Sequence, residues 1–63
     1  MNICENLRKL LNNSKIKPYK MAKEIGIGRG NFYDILSGKN SNPTIKVLKQ
    51  IADYLGVKVD DLL

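Results

Sequence analysis

The sequence predicts an all-α fold: a compact five-helix domain with a helix-turn-helix at its centre and no β-strand. Apolar residues recur three and four positions apart in several segments, and this spacing places them on one face of an α-helix. Gly26, Gly38 and Gly56 follow three of these segments, where glycine can end a helix. The 63 residues have the length of one small domain, which we expect to span residues 1–63.

The first two helices are predicted from their apolar faces and their boundary residues. The first runs from about Asn2 to Asn13, and its apolar face consists of Ile3, Leu7, Leu10 and Leu11. The second begins at Pro18, because the first turn of a helix has no partner for the N–H that proline lacks. Gly26 ends it, and its inward face consists of Met21, Ala22 and Ile25.

The segment from Met21 to Gly38 has the spacing of a helix-turn-helix. Ile27 fills the corner after Gly26, and Gly28 is the expected N-cap of a third helix from Arg29 to Ser37. The inward side chains of this helix are Phe32, Ile35 and Leu36. So tight a corner makes the third helix protrude from the domain.

The last two helices are predicted on either side of Gly56. Pro43 and Thr44 open the fourth helix, whose apolar face consists of Ile45, Leu48, Ile51, Ala52 and Leu55. A fifth, short helix is expected to start at Asp60 and Asp61, since the positive end of a helix dipole favours acidic side chains.

The charge is distributed unevenly along the chain, whose net charge is +5. Residues 1–50 carry ten lysines and arginines against three acidic residues, whereas residues 51–63 carry one lysine against three aspartates. This polarity favours a basic face for a polyanion, with the far end kept away from it. A solvated surface with no such partner is the alternative.

The composition excludes several classes of site. One cysteine and no histidine exclude an internal disulfide and a Cys/His zinc site, and Cys4 is expected to be a reduced, partly buried thiol. No apolar run approaches the ~18 residues of a membrane span, and none resembles a signal peptide. We therefore expect a cytoplasmic protein with no metal, no cofactor, no small-molecule ligand and no membrane contact.

Catalysis is not expected, so the chain is not predicted to be an enzyme. No histidine is available as a base, and the closely paired carboxylates Asp60 and Asp61 lie at a helix start. No GxxxxGK phosphate-binding loop occurs, and the glycines at positions 26, 28 and 30 lie in a turn and a helix start rather than after a strand.

Four segments in sequence order resemble the lambda-repressor-like, Cro/cI-type (XRE-like) helix-turn-helix DNA-binding domains: Met21–Arg29, Ile35–Lys39, Asn42–Pro43 and Leu48–Val57. Each segment is short, but the resemblance extends without a gap over about Leu7 to Leu63. It implies a five-helix domain that binds operator DNA, usually as a homodimer and usually as a transcriptional repressor.

The chain departs from that family at the start of the second helix. The family often has a phosphate-contacting glutamine at the first position of this helix, where this chain has Pro18. We expect Lys17, Tyr19 and Lys20 to replace that contact, helped by the free N–H groups at the positive end of the helix.

Bases are expected to be read by the N-terminal part of the third helix, at Arg29, Gly30, Asn31, Tyr33 and Asp34. Arg29 can pair with guanine or contact a phosphate instead, and Gly30 either admits close backbone approach or only weakens the helix. Asn31 can read adenine or bond locally. Tyr33 can contact a thymine methyl or a phosphate, or stack under Arg29. Asp34 can accept from cytosine N4 or orient a neighbouring donor.

Eight further residues are expected to contact phosphates, together with free amides at the start of the fourth helix: Lys17, Tyr19, Lys20, Ser37, Lys39, Asn40, Ser41 and Asn42. Such contacts position a domain on DNA without reading its sequence. Asn40 can also reach a base. Four other basic residues are expected to be solvated charges: Arg8, Lys9, Lys46 and Lys49.

The less basic C-terminal end is the expected homodimer surface, made of Leu55, Val57, Val59, Leu62 and Leu63. In the alternative interpretation these residues only close the core of the monomer.

The predicted function is sequence-specific binding of double-stranded DNA by a transcriptional regulator. We expect a repressor that binds a palindromic operator as a homodimer, with Arg29 to Ser37 in the major groove. The alternative is an antitoxin-like or other protein-interaction module for which DNA binding is secondary.

Overall fold

Four α-helices and one 3₁₀ turn make up the computed structural model, which describes residues 2–63. Helix α1 spans Ile3–Ser14, α2 spans Pro18–Ile25, α3 spans Arg29–Ser37 and α4 spans Ile45–Leu55. The 3₁₀ turn is formed by Val59–Asp61, and no strand occurs between residues 2 and 63. The all-α prediction is confirmed.

The prediction of a fifth helix is wrong, because Val59–Asp61 form a single turn. Its backbone hydrogen bonds join residues three apart, from Asp61 N–H to the Lys58 carbonyl (3.0 Å) and from Leu62 N–H to the Val59 carbonyl (2.9 Å). The Asp61 carboxylate also accepts the Lys58 N–H (3.0 Å), which closes the turn within four residues. This is the tighter 3₁₀ pattern that proteins use in short pieces.

The predicted boundaries of α2 and α3 are confirmed, as is the end of α4, which begins at Ile45 rather than at Pro43 and Thr44. Gly26, Gly38 and Gly56 follow these helices with φ angles of 79°, 86° and 71°, in the left-handed region that glycine adopts without a Cβ penalty. Gly28 is the N-cap of α3, and Thr44 is the N-cap of α4. The Thr44 hydroxyl accepts a backbone N–H of the first turn at 3.2 Å.

Helix α1 lies one residue later than predicted. Asn2 is its N-cap, and the Asn2 side-chain oxygen accepts the N–H of Glu5 (3.1 Å). The helix continues to Ser14, and Lys15 reverses the chain with a φ of 53°. The Lys15 N–H bonds to the Asn12 carbonyl (3.3 Å), and Asn12 and Asn13 lie in the last turn of the helix.

Eleven buried apolar residues form the core: Leu7, Leu11, Met21, Ala22, Phe32, Ile35, Leu36, Leu48, Ile51, Ala52 and Leu62. Helix α3 packs against α1 and α2, while α4 packs against α2 and the 3₁₀ turn. Among residues 2–63 no polar or charged residue is fully buried. The core is therefore apolar throughout the described chain, and polar contacts between elements lie at its edges.

The prediction that Ile45 belongs to the core is wrong. Its side chain is 71% exposed, although the apolar pattern of α4 included it. Side chains in a helix lean toward the N-terminus, so that of the first residue points beyond the helix end. Pro43, two residues before Ile45 and beyond the Thr44 cap, is buried.

Two side-chain hydrogen bonds tie neighbouring helices together. The Cys4 thiol donates to the Leu36 carbonyl, with Sγ 2.7 Å from the oxygen, which joins α1 to α3. Cys4 is free and half-buried, as predicted. The Tyr54 hydroxyl donates to the Glu24 carboxylate and joins α4 to α2; this bond raises the pKa of Tyr54 above its ordinary value.

Candidate nucleic-acid interface

Three residues form the corner between α2 and α3: Gly26, Ile27 and Gly28. The Gly26 N–H still bonds to the Ala22 carbonyl (3.2 Å), and the first backbone bond of α3 runs from Phe32 N–H to the Gly28 carbonyl (3.0 Å). Ile27 is half-buried between these two points. The direction of α3 is therefore set by a short, hydrogen-bonded corner.

The two faces of α3 differ sharply in burial. Phe32, Ile35 and Leu36 are 0%, 2% and 8% exposed, which anchors one face in the core. The five predicted base-reading residues lie in the first two turns of the helix: Arg29, Gly30, Asn31, Tyr33 and Asp34. The first four are exposed and Asp34 is half-buried. The structure therefore places the predicted base-reading set at the accessible start of α3.

Arg29 is held by an aromatic ring from the other helix of the motif. Its guanidinium carbon Cζ lies over the ring of Tyr19, 4.9 Å from the ring centroid. The sequence offers Tyr33 as one candidate for the ring under Arg29, but Tyr33 instead meets Phe32 edge-on, with centroids 6.3 Å apart and planes at 77°. The sequence pattern contained no signal for this pair, because its partners come from different helices.

The remaining base-reading candidates border the loop after α3. Asn31 lines a shallow cleft of about 220 Å³ together with Asn40 and Thr44. The Asp34 backbone carbonyl accepts the N–H of Asn40 (2.9 Å) and the hydroxyl of Ser37 (3.3 Å). The end of α3 and the start of the loop are thus fixed to one another.

All eight predicted phosphate-contacting residues are exposed. Lys17, Tyr19 and Lys20 lie at the start of α2, whose first backbone bond runs from Met21 N–H to the Lys17 carbonyl (3.1 Å). The N–H groups of Tyr19 and Lys20 therefore have no partner within the helix. They form the free positive end that was expected around Pro18.

The other phosphate candidates are Ser37, the last residue of α3, and residues 39–42 in the loop that follows. Side chains of this segment bond to nearby backbone groups. The Ser37 hydroxyl accepts the Lys39 N–H (3.4 Å), and the Asn40 side-chain oxygen accepts the Asn42 N–H (3.1 Å). The side-chain NH₂ of Asn40 is then the group left to donate outward. Ser41 lies in the same exposed loop.

Comparison with known proteins identifies this architecture. The family model of the Cro/C1-type HTH DNA-binding domain matches residues 6–63. The chain belongs to this family. A relative from Coxiella burnetii (strain RSA 493 / Nine Mile phase I), named as an uncharacterized HTH-type transcriptional regulator, is 27% identical over 62 residues. That match covers 98% of this chain but only 29% of the relative's length. No solved structure gives a significant match.

Within this Cro/C1-type domain, the predicted dimer surface divides into two parts. Leu62 is fully buried in the monomer core, so its prediction as a dimer residue is wrong. Leu55, Val57, Val59 and Leu63 are half-buried and pack against the edge of that core. These four keep some surface with which a second copy can make contact.

Ile45 is an exposed apolar residue of the Cro/C1-type domain that sequence analysis missed as a surface group. Its exposure follows from its position at the start of α4, and the apolar spacing gives no sign of it.

No helix formed by residues 2–63 has the length and hydropathy needed to cross a bilayer. The same residues contain no cluster of three metal-ligating side chains.

Proposed function

We propose that this chain regulates transcription by binding double-stranded DNA sequence-specifically, with α3 in the major groove. The observation that carries the proposal is the division of α3 between a buried face and an exposed N-terminal face. A recognition helix anchored on one side presents its first residues to base edges. The Cro/C1-type family assignment supports the same placement.

Three polar side chains at the start of α3 have a chemistry that fits a base edge. The Arg29 guanidinium can donate two hydrogen bonds to O6 and N7 of guanine, and the Asn31 amide can pair with adenine. The Asp34 carboxylate can accept from cytosine N4. A good bidentate pair of this kind discriminates by about 1–3 kcal/mol, so one domain reads only a few base pairs.

Residues proposed to contact phosphates lie on both sides of this reading surface along the chain. Lys17 and Lys20 lie at the start of α2 beside free backbone N–H groups, and Lys39 begins the loop after α3. Phosphate contacts at both ends would fix the depth and register of α3 without contributing to sequence preference. The net charge of +5 supports binding to a polyanion.

The proposal includes repression at a palindromic operator by a homodimer. Two-fold pairing would place two copies of α3 about 34 Å apart, one helical turn of DNA, and would double the few base contacts of one domain. The half-buried residues Leu55, Val57, Val59 and Leu63 supply apolar surface for that pairing. Repression is inferred from the resemblance to lambda-repressor-like domains, and the name of the Coxiella burnetii relative supports a role in transcription.

The proposal is tested by selecting bound sequences from a pool of random DNA duplexes. We expect an enriched inverted repeat, bound with a log K that falls linearly as log salt concentration rises. The control is the same duplex with its half-sites scrambled, which should retain only the salt-dependent, non-specific affinity. Recovery of no enriched sequence would refute sequence-specific regulation, and enrichment of a single half-site would refute the palindromic homodimer.

A further inference from the structure

The contact between Arg29 and Tyr19 joins the reading helix to the helix that precedes it. Arg29 is the first residue of α3, and Tyr19 is the second residue of α2. The guanidinium carbon lies 4.9 Å from the centroid of the ring. Half of the Tyr19 surface is exposed, so the ring contributes to the outer surface of the motif rather than to the core.

The contact of Arg29 with Tyr19 is of a kind that needs no hydrogen bond from the guanidinium. The face of an aromatic ring carries partial negative charge and attracts a cation placed above it. This attraction is electrostatic and does not by itself require any of the five guanidinium N–H donors. A guanidinium held over a ring can therefore still present two donors to guanine.

Ordering the guanidinium before DNA binds lowers the entropy that is lost on complex formation. An exposed arginine side chain has many rotamers, and ordering them on binding opposes complex formation. A ring that already limits those rotamers reduces the opposing entropy. The benefit applies only where the ordered guanidinium pairs with a base edge, so it appears as sequence preference.

We propose that Tyr19 is a positioning residue for Arg29, so that preference at the base pair read by Arg29 depends on an aromatic ring on α2. This inference rests on the proposed function, since it concerns how the same surface reads DNA. It differs from the role in phosphate contact predicted for Tyr19 from the sequence. A phosphate contact would change affinity for every sequence equally, whereas a positioning role changes preference at one base pair.

The experiment compares Tyr19→Leu, Tyr19→Phe, Arg29→Ala and the double variant Tyr19→Leu/Arg29→Ala on a panel of single-base operator variants. We expect Tyr19→Leu to reduce the preference at the Arg29 base pair by about 2- to 5-fold, the factor expected for an exposed cation–π contact. Tyr19→Phe is the matched control, because it keeps the ring and should keep the preference. In the Arg29→Ala background, Tyr19→Leu should change that preference no further, since the partner is already absent.

Three results would overturn the positioning role: a parental preference in Tyr19→Leu, an equal loss on all sequences, or an undiminished effect of Tyr19→Leu in the Arg29→Ala background. Failure of the proposed function looks different, because the parent itself would then enrich no sequence. Thermal unfolding of each variant checks that the half-exposed position tolerates the change.

A measurement without DNA tests the contact independently. The ring-proton chemical shifts of Tyr19 should move in Arg29→Ala and stay in place in Lys39→Ala, which removes a cation from the following loop. Unchanged Tyr19 shifts in Arg29→Ala would contradict the pairing even if DNA preference were altered.

Discussion

The side-chain amide of Asn6 donates a hydrogen bond to the backbone carbonyl of Leu62, with 2.9 Å between nitrogen and oxygen, although the two residues are 56 positions apart. The Leu62 side chain is fully buried in the core. A polar contact and an apolar contact therefore fasten the residue after the 3₁₀ turn to the rest of the domain. Leu62 closes the monomer.

Leu62→Ala should lower the free energy of unfolding by about 2–5 kcal/mol, because it removes a fully buried side chain and leaves a cavity. Ile45→Ala is the matched control, since the side chain of Ile45 is 71% exposed. It should change stability by about 0.5 kcal/mol or less. Urea unfolding followed by circular dichroism measures both. Equal losses in the two variants would contradict the assignment of Leu62 to the core.

Gly26→Ala should destabilise the domain by about 1–2 kcal/mol, the approximate penalty for a side chain in the left-handed region. The φ of Gly26 is +79° and no atom lies within 4 Å of a Cβ added there, so the penalty belongs to the backbone alone. Gly30→Ala is the control within α3, where a Cβ also meets nothing within 4 Å. It should stabilise the helix by about 0.5–1 kcal/mol in thermal or urea unfolding.

Gly30→Ala also tests whether DNA approaches the backbone closely at this position. We expect weaker operator binding in spite of the higher stability, because the added methyl group would occupy space at the base edges. The free energy of unfolding would then rise while the affinity for the operator falls. Unchanged operator affinity in Gly30→Ala would show that DNA does not approach the backbone closely at Gly30.

Arg29→Ala and Lys39→Ala should separate base reading from phosphate contact. Arg29→Ala should cost about 1–3 kcal/mol on the preferred operator and relax preference at one base pair per half-site. Lys39→Ala should weaken binding to all sequences alike and reduce the salt slope by ~0.9 for each phosphate that is no longer neutralised. Salt titrations on matched and mismatched duplexes measure both effects. A uniform loss in Arg29→Ala would show that it contacts a phosphate instead.

Val57→Lys tests the proposed homodimer surface at a half-buried position on the edge of the core. We expect the parent to sediment as a concentration-dependent dimer and the variant as a monomer, since an uncompensated charge opposes burial in an interface. Circular dichroism confirms that the variant is folded. A parent that sediments as a monomer at every concentration would remove the DNA-independent dimer from the proposal.

Because of Tyr54, the stability of the folded domain is expected to depend on pH in the alkaline range. Its hydrogen bond to Glu24, together with desolvation and the Glu24 charge, raises its pKa above the ordinary value of 10.0. Because the folded-state pKa is the higher one, the stabilisation is fully present below pH ~10 and disappears as the pH rises through the folded value. Thermal unfolding of the parent and Tyr54→Phe should therefore differ near neutral pH and converge in alkali. A constant difference would show that the bond does not form.

Local chemistry made most of the helix boundaries predictable from the sequence. Gly26, Gly38 and Gly56 end helices because their backbones are left-handed, and Thr44 starts α4 because its hydroxyl accepts a free N–H. Each of these signals acts within about four residues of the chain. Apolar spacing likewise separated the buried face of α3 from its exposed face, which located the candidate site.

Properties that depend on distant parts of the chain could not be predicted in this way. The sequence predicts Leu62 on the dimer surface, whereas its side chain is fully buried among core residues contributed by other parts of the chain. The pairing of Arg29 with Tyr19 depends on the angle between two helices, which no local pattern specifies.

The placement of the Arg29 guanidinium over the Tyr19 ring also bears on how such a reading surface can be moved between proteins. A graft of α3 alone would carry the guanidinium and leave the ring behind on α2. The smallest transplantable unit that keeps the contact is Pro18–Ser37, both helices with their corner. An attempt to retarget the domain by exchanging position 29 alone would leave an aromatic side chain without its cation, so redesign of positions 19 and 29 belongs together.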